Sequence, residues 1–177
     1  MIAHKETGPE VWYATDPVVR VDRSVMAVLQ RQASTLPRER IRLCAHENAE
    51  SKVHEMLIVH AKGCYVRPHK HLNKDESFHI IEGEVDVVLL DEAGRVEEVI
   101  RMGEYRSGLA FYYRLNKPLY HTLLIRSPQV VFHEVTGGPF RREDTLFLPG
   151  SPEIDDAEGA ARYLANLETL LNEFCNP

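Results

Sequence analysis

Eight of the nine histidines fall between positions 46 and 133 of this 177-residue chain. The densest group is His69-Lys70-His71, with Glu76 close behind. On an extended strand His69 and His71, two positions apart, point to one face. The Leu72-Asn73-Lys74-Asp75 stretch reads as a turn, and Glu76 opens the next strand. A hairpin there returns the Glu76 carboxylate beside the two imidazoles. Two imidazoles and one carboxylate converging on a point are donors for a first-row transition metal. A fourth donor must come from elsewhere, and His79, His121 and His133 are the candidates. Glu76, Phe78 and Ile80 share one strand face, which puts His79 on the other. His121 opens the run YHTLLI after the Asn116-Lys117-Pro118 turn and shares a face with Leu123 and Ile125. It is the expected fourth ligand, at a rim above apolar residues. The face of His133, in QVVFHEV, is not fixed by the sequence. It is retained as a contact to a ligand or to substrate.

Four such donors leave about two open positions on an octahedral ion, and zinc, iron, manganese or nickel would all accept them. A metal held this way polarises a carbonyl or hydroxyl or activates water. If it is iron, it can also bind dioxygen. Tyr65 and Arg67 share strand parity with His69 and His71. The planar guanidinium of Arg67 would suit a carboxylate or phosphate on a substrate. Arg67, Tyr65 and His133 are therefore the catalytic candidates. Lys70 and Lys74 are expected in solvent. Tyr113 and Tyr120 would offer hydroxyls or simply pack.

These residues need a scaffold of strands. From about residue 40 to 148, β-branched and aromatic runs recur between Gly, Pro, Asn and Asp: IRLCAH, MLIVHA, CYVRPH, ESFHIIEGEVDVVLLD, RVEEVI, LAFYYRL, YHTLLI and QVVFHEV. Asp91-Glu92-Ala93-Gly94 reads as a hairpin turn, and Gly83 as a bulge or turn. Many short strands without room for crossover helices predict an antiparallel sandwich or small barrel. Phe78, Ile80, Val85, Val87, Leu123 and Ile125 should line its dry interior. Before it, residues 1–39 read as an extension with a short strand (Val11 to Ala14) and a helix over 22–35. Val25, Val28 and Leu29 share that helix's face, Asp22 or Ser24 caps it, and Pro37 follows it. After the 40–150 barrel, Pro149-Gly150-Ser151-Pro152 reads as a linker into an amphipathic helix. Its stripe is Tyr163, Leu164, Leu167, Leu170, Leu171 and Phe174.

Composition narrows the function classes. The net charge of −6 and pI near 5.8 argue against a partner made of nucleic acid or anionic membrane. No apolar run approaches the ~20 residues of a membrane span. The start, MIAHKETGPEVWY, lacks an apolar signal core, which predicts a cytoplasmic protein. Cys44, Cys64 and Cys175 match no paired spacing and read as free thiols. At this length about 70% of the chain's surface can be buried, enough for one core. The apolar helix stripes exceed what a small barrel covers, so a homodimer is expected.

The stretch Gly63–Gly83 resembles the first cupin motif, G-x5-H-x-H-x(3,4)-E-x6-G, at every fixed position. The resemblance implies a single cupin barrel, a double-stranded β-helix or jelly roll. It also implies His69, His71, Glu76 and His121 as ligands to a divalent metal. The second cupin motif is matched less well, with Asn116, Pro118 and Ile125 at its Pro, Gly and Asn positions. More narrowly, PRERIRLCAHEN, YVRPHKHLNKDESFHIIEGEVDVVLLDEAGRV, LYHTLLI, EVTGGPF and FLPGSPE resemble the WbuC-type cupin-fold metalloproteins. That family occurs with surface-polysaccharide (O-antigen) sugar biosynthesis. The resemblance implies a small-molecule ligand, a sugar or sugar derivative, and isomerase- or epimerase-like chemistry. An Fe(II) oxygenase and a non-enzymatic binding module are the alternatives.

Overall fold

The computed structural model describes residues 2–175, with twelve strands, two α-helices and two short 3-10 turns. The extension holds β1 (His4–Gly8), β2 (Val11–Ala14) and α1 (Arg23–Ala33). The central strands are β3 (Arg40–Cys44), β4 (Val53–Ala61), β5 (His69–His71), β6 (Glu76–Glu82), β7 (Glu84–Leu90), β8 (Val96–Gly103), β9 (Tyr112–Leu115), β10 (Tyr120–Ile125) and β11 (Gln129–Gly137). Then come β12 (Thr145–Phe147) and α2 (Ala157–Cys175).

The strands form two sheets, β1-β2-β3-β4-β11-β6-β9 and β12-β5-β10-β7-β8. Without the extra strands at the edges, the chain from β4 to β11 places its first, eighth, third and sixth strands in one sheet. Its second, seventh, fourth and fifth lie in the other. That order, all antiparallel, is the eight-stranded jelly roll of the cupin type.

The alternation of side chains builds the interior. Phe78, Ile80, Val85, Val87, Leu123 and Ile125 are all buried in the cluster between the sheets, as the pleat predicts, with Met56, Ile58, Met102 and Phe132. Gly83 turns the chain from one sheet into the other. Its φ is +83°, and a Cβ there would lie 2.2 Å from the Gln129 carbonyl oxygen, so no side chain fits. The β7–β8 hairpin closes on Asp91, whose Oδ1 accepts from the Ala93 and Arg95 amides.

The helices cover the outer faces. Asp22 caps α1 by accepting from the Ser24 and Val25 amides at 2.9 and 3.1 Å. Val25, Met26, Leu29 and Ala33 then pack on Ile41, Leu43, Val59 and Val131. On the other sheet, Leu167 and Leu171 of α2 pack on Val88, Leu90, Tyr120, Leu124 and Leu148. Leu170 and Phe174, the rest of the expected stripe, are exposed.

Three features depart from the sequence reading. The extension holds a hairpin, β1–β2, rather than one strand, and β2 runs parallel to β3 with α1 as the crossover. The run CYVRPH is strand only from His69, because Pro68 has no amide hydrogen for a ladder. The short strand β12 precedes the linker and pairs with β5. Cys44 and Cys64 are buried free thiols, whereas the Cys175 side chain lies outside the described residues.

Candidate metal centre

Strands β5, β10 and the start of β6 bring the predicted donors together at one mouth of the barrel. His69 and His121 are directly paired across β5 and β10. Ring nitrogens of His69, His71 and His121 lie within 4.8 Å of one another. The Glu76 carboxylate stands among them, with Oε1 3.0 Å from His121 Nε2 and Oε2 3.3 Å from His71 Nε2. Glu76 and His121 are buried, and His69 and His71 are partly buried.

Each imidazole is tied from behind. His69 Nδ1 lies 2.8 Å from the Arg67 carbonyl oxygen, and His121 Nδ1 lies 3.1 Å from that of Leu119. His71 Nδ1 lies 3.2 Å from the Thr145 hydroxyl oxygen. A carbonyl only accepts, so Nδ1 of His69 and His121 must carry the hydrogen. In the neutral ring Nε2 is then a bare lone pair. His121 Nε2 and a Glu76 oxygen are thus two acceptors 3.0 Å apart, an arrangement that requires a cation between them. A proton meets that need in the metal-free protein, and a divalent ion meets it with more ligands. The donor set of three imidazoles and one carboxylate fits such an ion.

The electrostatics follow from this geometry. Burial alone would raise the Glu76 carboxyl, but the surrounding imidazoles, His121 foremost, hold it well below the usual carboxylate range. Burial pushes against a charge on His121, and Glu76 outweighs it, so that imidazole is raised. His69 is pushed down to about 3 by burial and by the neighbouring His121. The Tyr113 hydroxyl donates to Glu76 Oε1 at 3.1 Å, which fixes the carboxylate from the β9 side.

The remaining candidates lie elsewhere. Arg67 donates from Nε to the Ser151 hydroxyl at 3.0 Å, pairs with Glu153 and stacks 4.3 Å over Phe147. The Tyr65 hydroxyl donates to the Pro152 carbonyl at 3.1 Å. Both side chains hold the linker rather than join the cluster. His133 pairs with His79 and Leu57 across the sheet and shares the outer face with Val131, which packs under α1. His79 is exposed on that face, as its parity predicts. Lys70 pairs with Glu92 and lies over Tyr120, and Tyr120 packs under α2.

Two residues escaped the sequence reading. Glu134 is the neighbour of His133 and takes the opposite, inward face, between Phe78 and Met56. Burial and the charge of Glu76 hold its carboxyl up at about 7. Its position was hidden because a shift of one residue exchanges the faces of a strand. Thr145 lies on β12, opposite His71. The three residues of that strand carry no readable alternation.

Comparisons with known proteins bear on the scaffold. A family model described as a domain of unknown function (DUF6016) matches residues 21–102, just under half of the chain. No curated protein matches. Among solved structures, the chain is similar to the Shewanella oneidensis protein SO0799, at 11% identity over 71% of this chain and 78% of that one, with a TM-score of 0.49. It is also similar to a Klebsiella pneumoniae protein with a double-stranded β-helix domain, at 13% identity over 61% and 78% and a TM-score of 0.47. A third similar structure is oxalate decarboxylase from Bacillus subtilis, at 19% identity and a TM-score of 0.47. That match covers 62% of this chain but only 27% of the decarboxylase. Likenesses this distant carry no argument about chemistry, and the strand order itself defines the fold.

Proposed function

We propose that this protein is a metal-dependent enzyme acting on a small polar metabolite by isomerase- or epimerase-like chemistry. The observation that carries the reading is the convergence of three imidazoles on Glu76 with their Nδ1 atoms already engaged. His69, His71, Glu76 and His121 would hold the ion. Bound there, a divalent metal supplies Lewis-acid polarisation of a carbonyl or hydroxyl oxygen. The chain's own residues supply the rest. Tyr113 keeps the Glu76 carboxylate in place. Glu134, inward-facing and without an ion pair among the described residues, is the group that takes and returns a proton beside the reacting carbon. The apolar walls below, including Phe78 and Phe132, exclude water from that step. Sugars or sugar derivatives are the proposed substrates, on the resemblance to WbuC-type proteins.

The test is a screen of sugar phosphates and nucleotide sugars with protein reconstituted separately with zinc, manganese, nickel and iron. Metal-dependent conversion of one of them without oxygen uptake is the expected result. Substrate-dependent oxygen consumption with iron alone would replace this reading by an oxygenase. Binding without conversion by any reconstituted form would leave a ligand-binding module.

A further inference from the structure

The row of side chains that holds two of the metal donors continues into an aromatic ring. Phe147 pairs with His69, His69 with His121, and His121 with Leu89, so the four lie side by side across β12, β5, β10 and β7. Residues directly opposite one another in a sheet share a face. Leu89 belongs to the interior cluster, so that face is the inner one. The row opens toward β12, which is the edge of its sheet. Leu89 and His121 are buried, His69 is partly buried, and Phe147 is 38% exposed. Phe147 thus presents an apolar surface on the metal-binding face that water still reaches. Its ring centre lies 6.4 Å from that of His69. Tyr105, Phe111 and Tyr112 are exposed too, but they gather around His79 on the outer face of the other sheet.

The ring is also held in place. The Arg67 guanidinium lies 4.3 Å over it, and the Arg67 side chain is only 12% exposed. Ser151 and Glu153 fix that guanidinium in turn. Arg67 covers one side of the ring, so the open surface is the side turned away from it. An apolar surface that is ordered before a ligand arrives costs little entropy to cover. The chemistry of Phe147 selects what covers it. An open-chain polyol carries hydroxyls along its whole length. A pyranose carries its hydroxyls around the rim and C–H groups on its faces, and such a face packs on an aromatic ring. The 6.4 Å to His69 is a span that one six-membered ring can bridge. The ring that packs on Phe147 is therefore the reacting one. The base of a nucleotide sugar, set off from the sugar by a diphosphate, would lie farther out.

We infer that Phe147, backed by Arg67, is the specificity residue of the site and stacks on the C–H face of a pyranose ring in the substrate. This inference rests on the metal-enzyme reading for its biological meaning, but its test does not. The experiment is calorimetric titration of zinc-loaded and metal-free protein with free pyranoses, pyranose phosphates and nucleotide sugars. Sorbitol and uracil serve as the open-chain and planar-base probes. Wild type is compared with F147A, with F147L, which keeps apolar bulk without the ring, and with F140A, which removes an exposed ring that lies over Lys74 instead. F147A and F147L should each weaken binding of the preferred pyranose compound at least about tenfold, the loss of one covered aromatic face. F140A should stay within about twofold of wild type, as surface substitutions away from a site do. In F147W the same compound should shift the tryptophan emission, which it leaves unchanged in wild type, where Trp12 is buried under α1. Absence of binding by every pyranose compound overturns the inference. So do wild-type affinity in F147L, an equal loss in F140A, and sorbitol or uracil binding as tightly as the best pyranose. Failure to take up zinc, with the F147A and F147L losses intact in metal-free protein, would overturn the metal reading and leave the sugar subsite standing.

Discussion

Glu134 and His133 are adjacent in the chain, yet one faces the cavity and the other the outer sheet surface. This division makes Glu134 testable by itself. E134Q should keep a full complement of metal and lose about 10²–10⁴ in turnover, the range for a general acid–base group. Turnover within about threefold of wild type would remove it from the chemistry. His60 offers a test of stability. It is buried at the other end of β4, edge-on to Phe132, and its Nδ1 has no partner among the described residues. Burial, aided by Arg40 and Arg42, pushes its pKa down to about 3. The unfolded chain binds a proton near pH 6.5, well before the folded one does. Stability therefore falls as pH drops from 6.5 toward 3. From pH 7 to 5 the cost is on the order of 2 kcal/mol. Urea unfolding at the two pH values should find the stability loss smaller in H60F than in wild type by about that amount. Equal slopes would mean that His60 protonates alike in both states. At this scale the sequence was informative wherever parity was anchored by a second residue. His69 and His71 anchor one another, and Phe78 and Ile80 anchor Glu76. QVVFHEV has apolar residues at both parities and so left His133 and Glu134 undecided.

Among the elements, β12 does most for the site relative to its length. Its three residues pair with β5 in register, placing Thr145 opposite His71 and Phe147 opposite His69. The Thr145 hydroxyl engages His71 Nδ1 and so orients the ring whose Nε2 faces Glu76. Partners of this kind are worth about 10–100-fold in metal affinity. T145V should lose affinity in that range while T145S retains it, as read by competition with a zinc chelator. Equal affinity in both variants would make the hydroxyl incidental. The linker after β12 is fastened by Arg67 and Tyr65. The elements with strong periodicity, α1, α2 and the paired strands β6 and β7, were legible. Strands β1 (HKETG) and β12 (TLF) were not, because both are short edge strands with little apolar alternation. Their existence is decided by the neighbours they pair with, β2 and β5.

Across the whole molecule, the fold and the site are separable in energy. The interior between the sheets is apolar, and each sheet has a helix on its outer face. The polar donors are confined to one mouth. No helix among the described residues is long and apolar enough to cross a membrane. Because the core is complete without the donors, H69A should cost metal affinity far more than stability. A fold that needed the histidines would unfold instead. The central claim is that His69, His71, Glu76 and His121 hold a metal. It is tested most directly by elemental analysis of untagged protein purified without added metal, and again after reloading with zinc, manganese, iron or nickel. About one equivalent of a single transition metal per chain is the predicted result. A protein that remains without stoichiometric metal after every reloading would contradict the account.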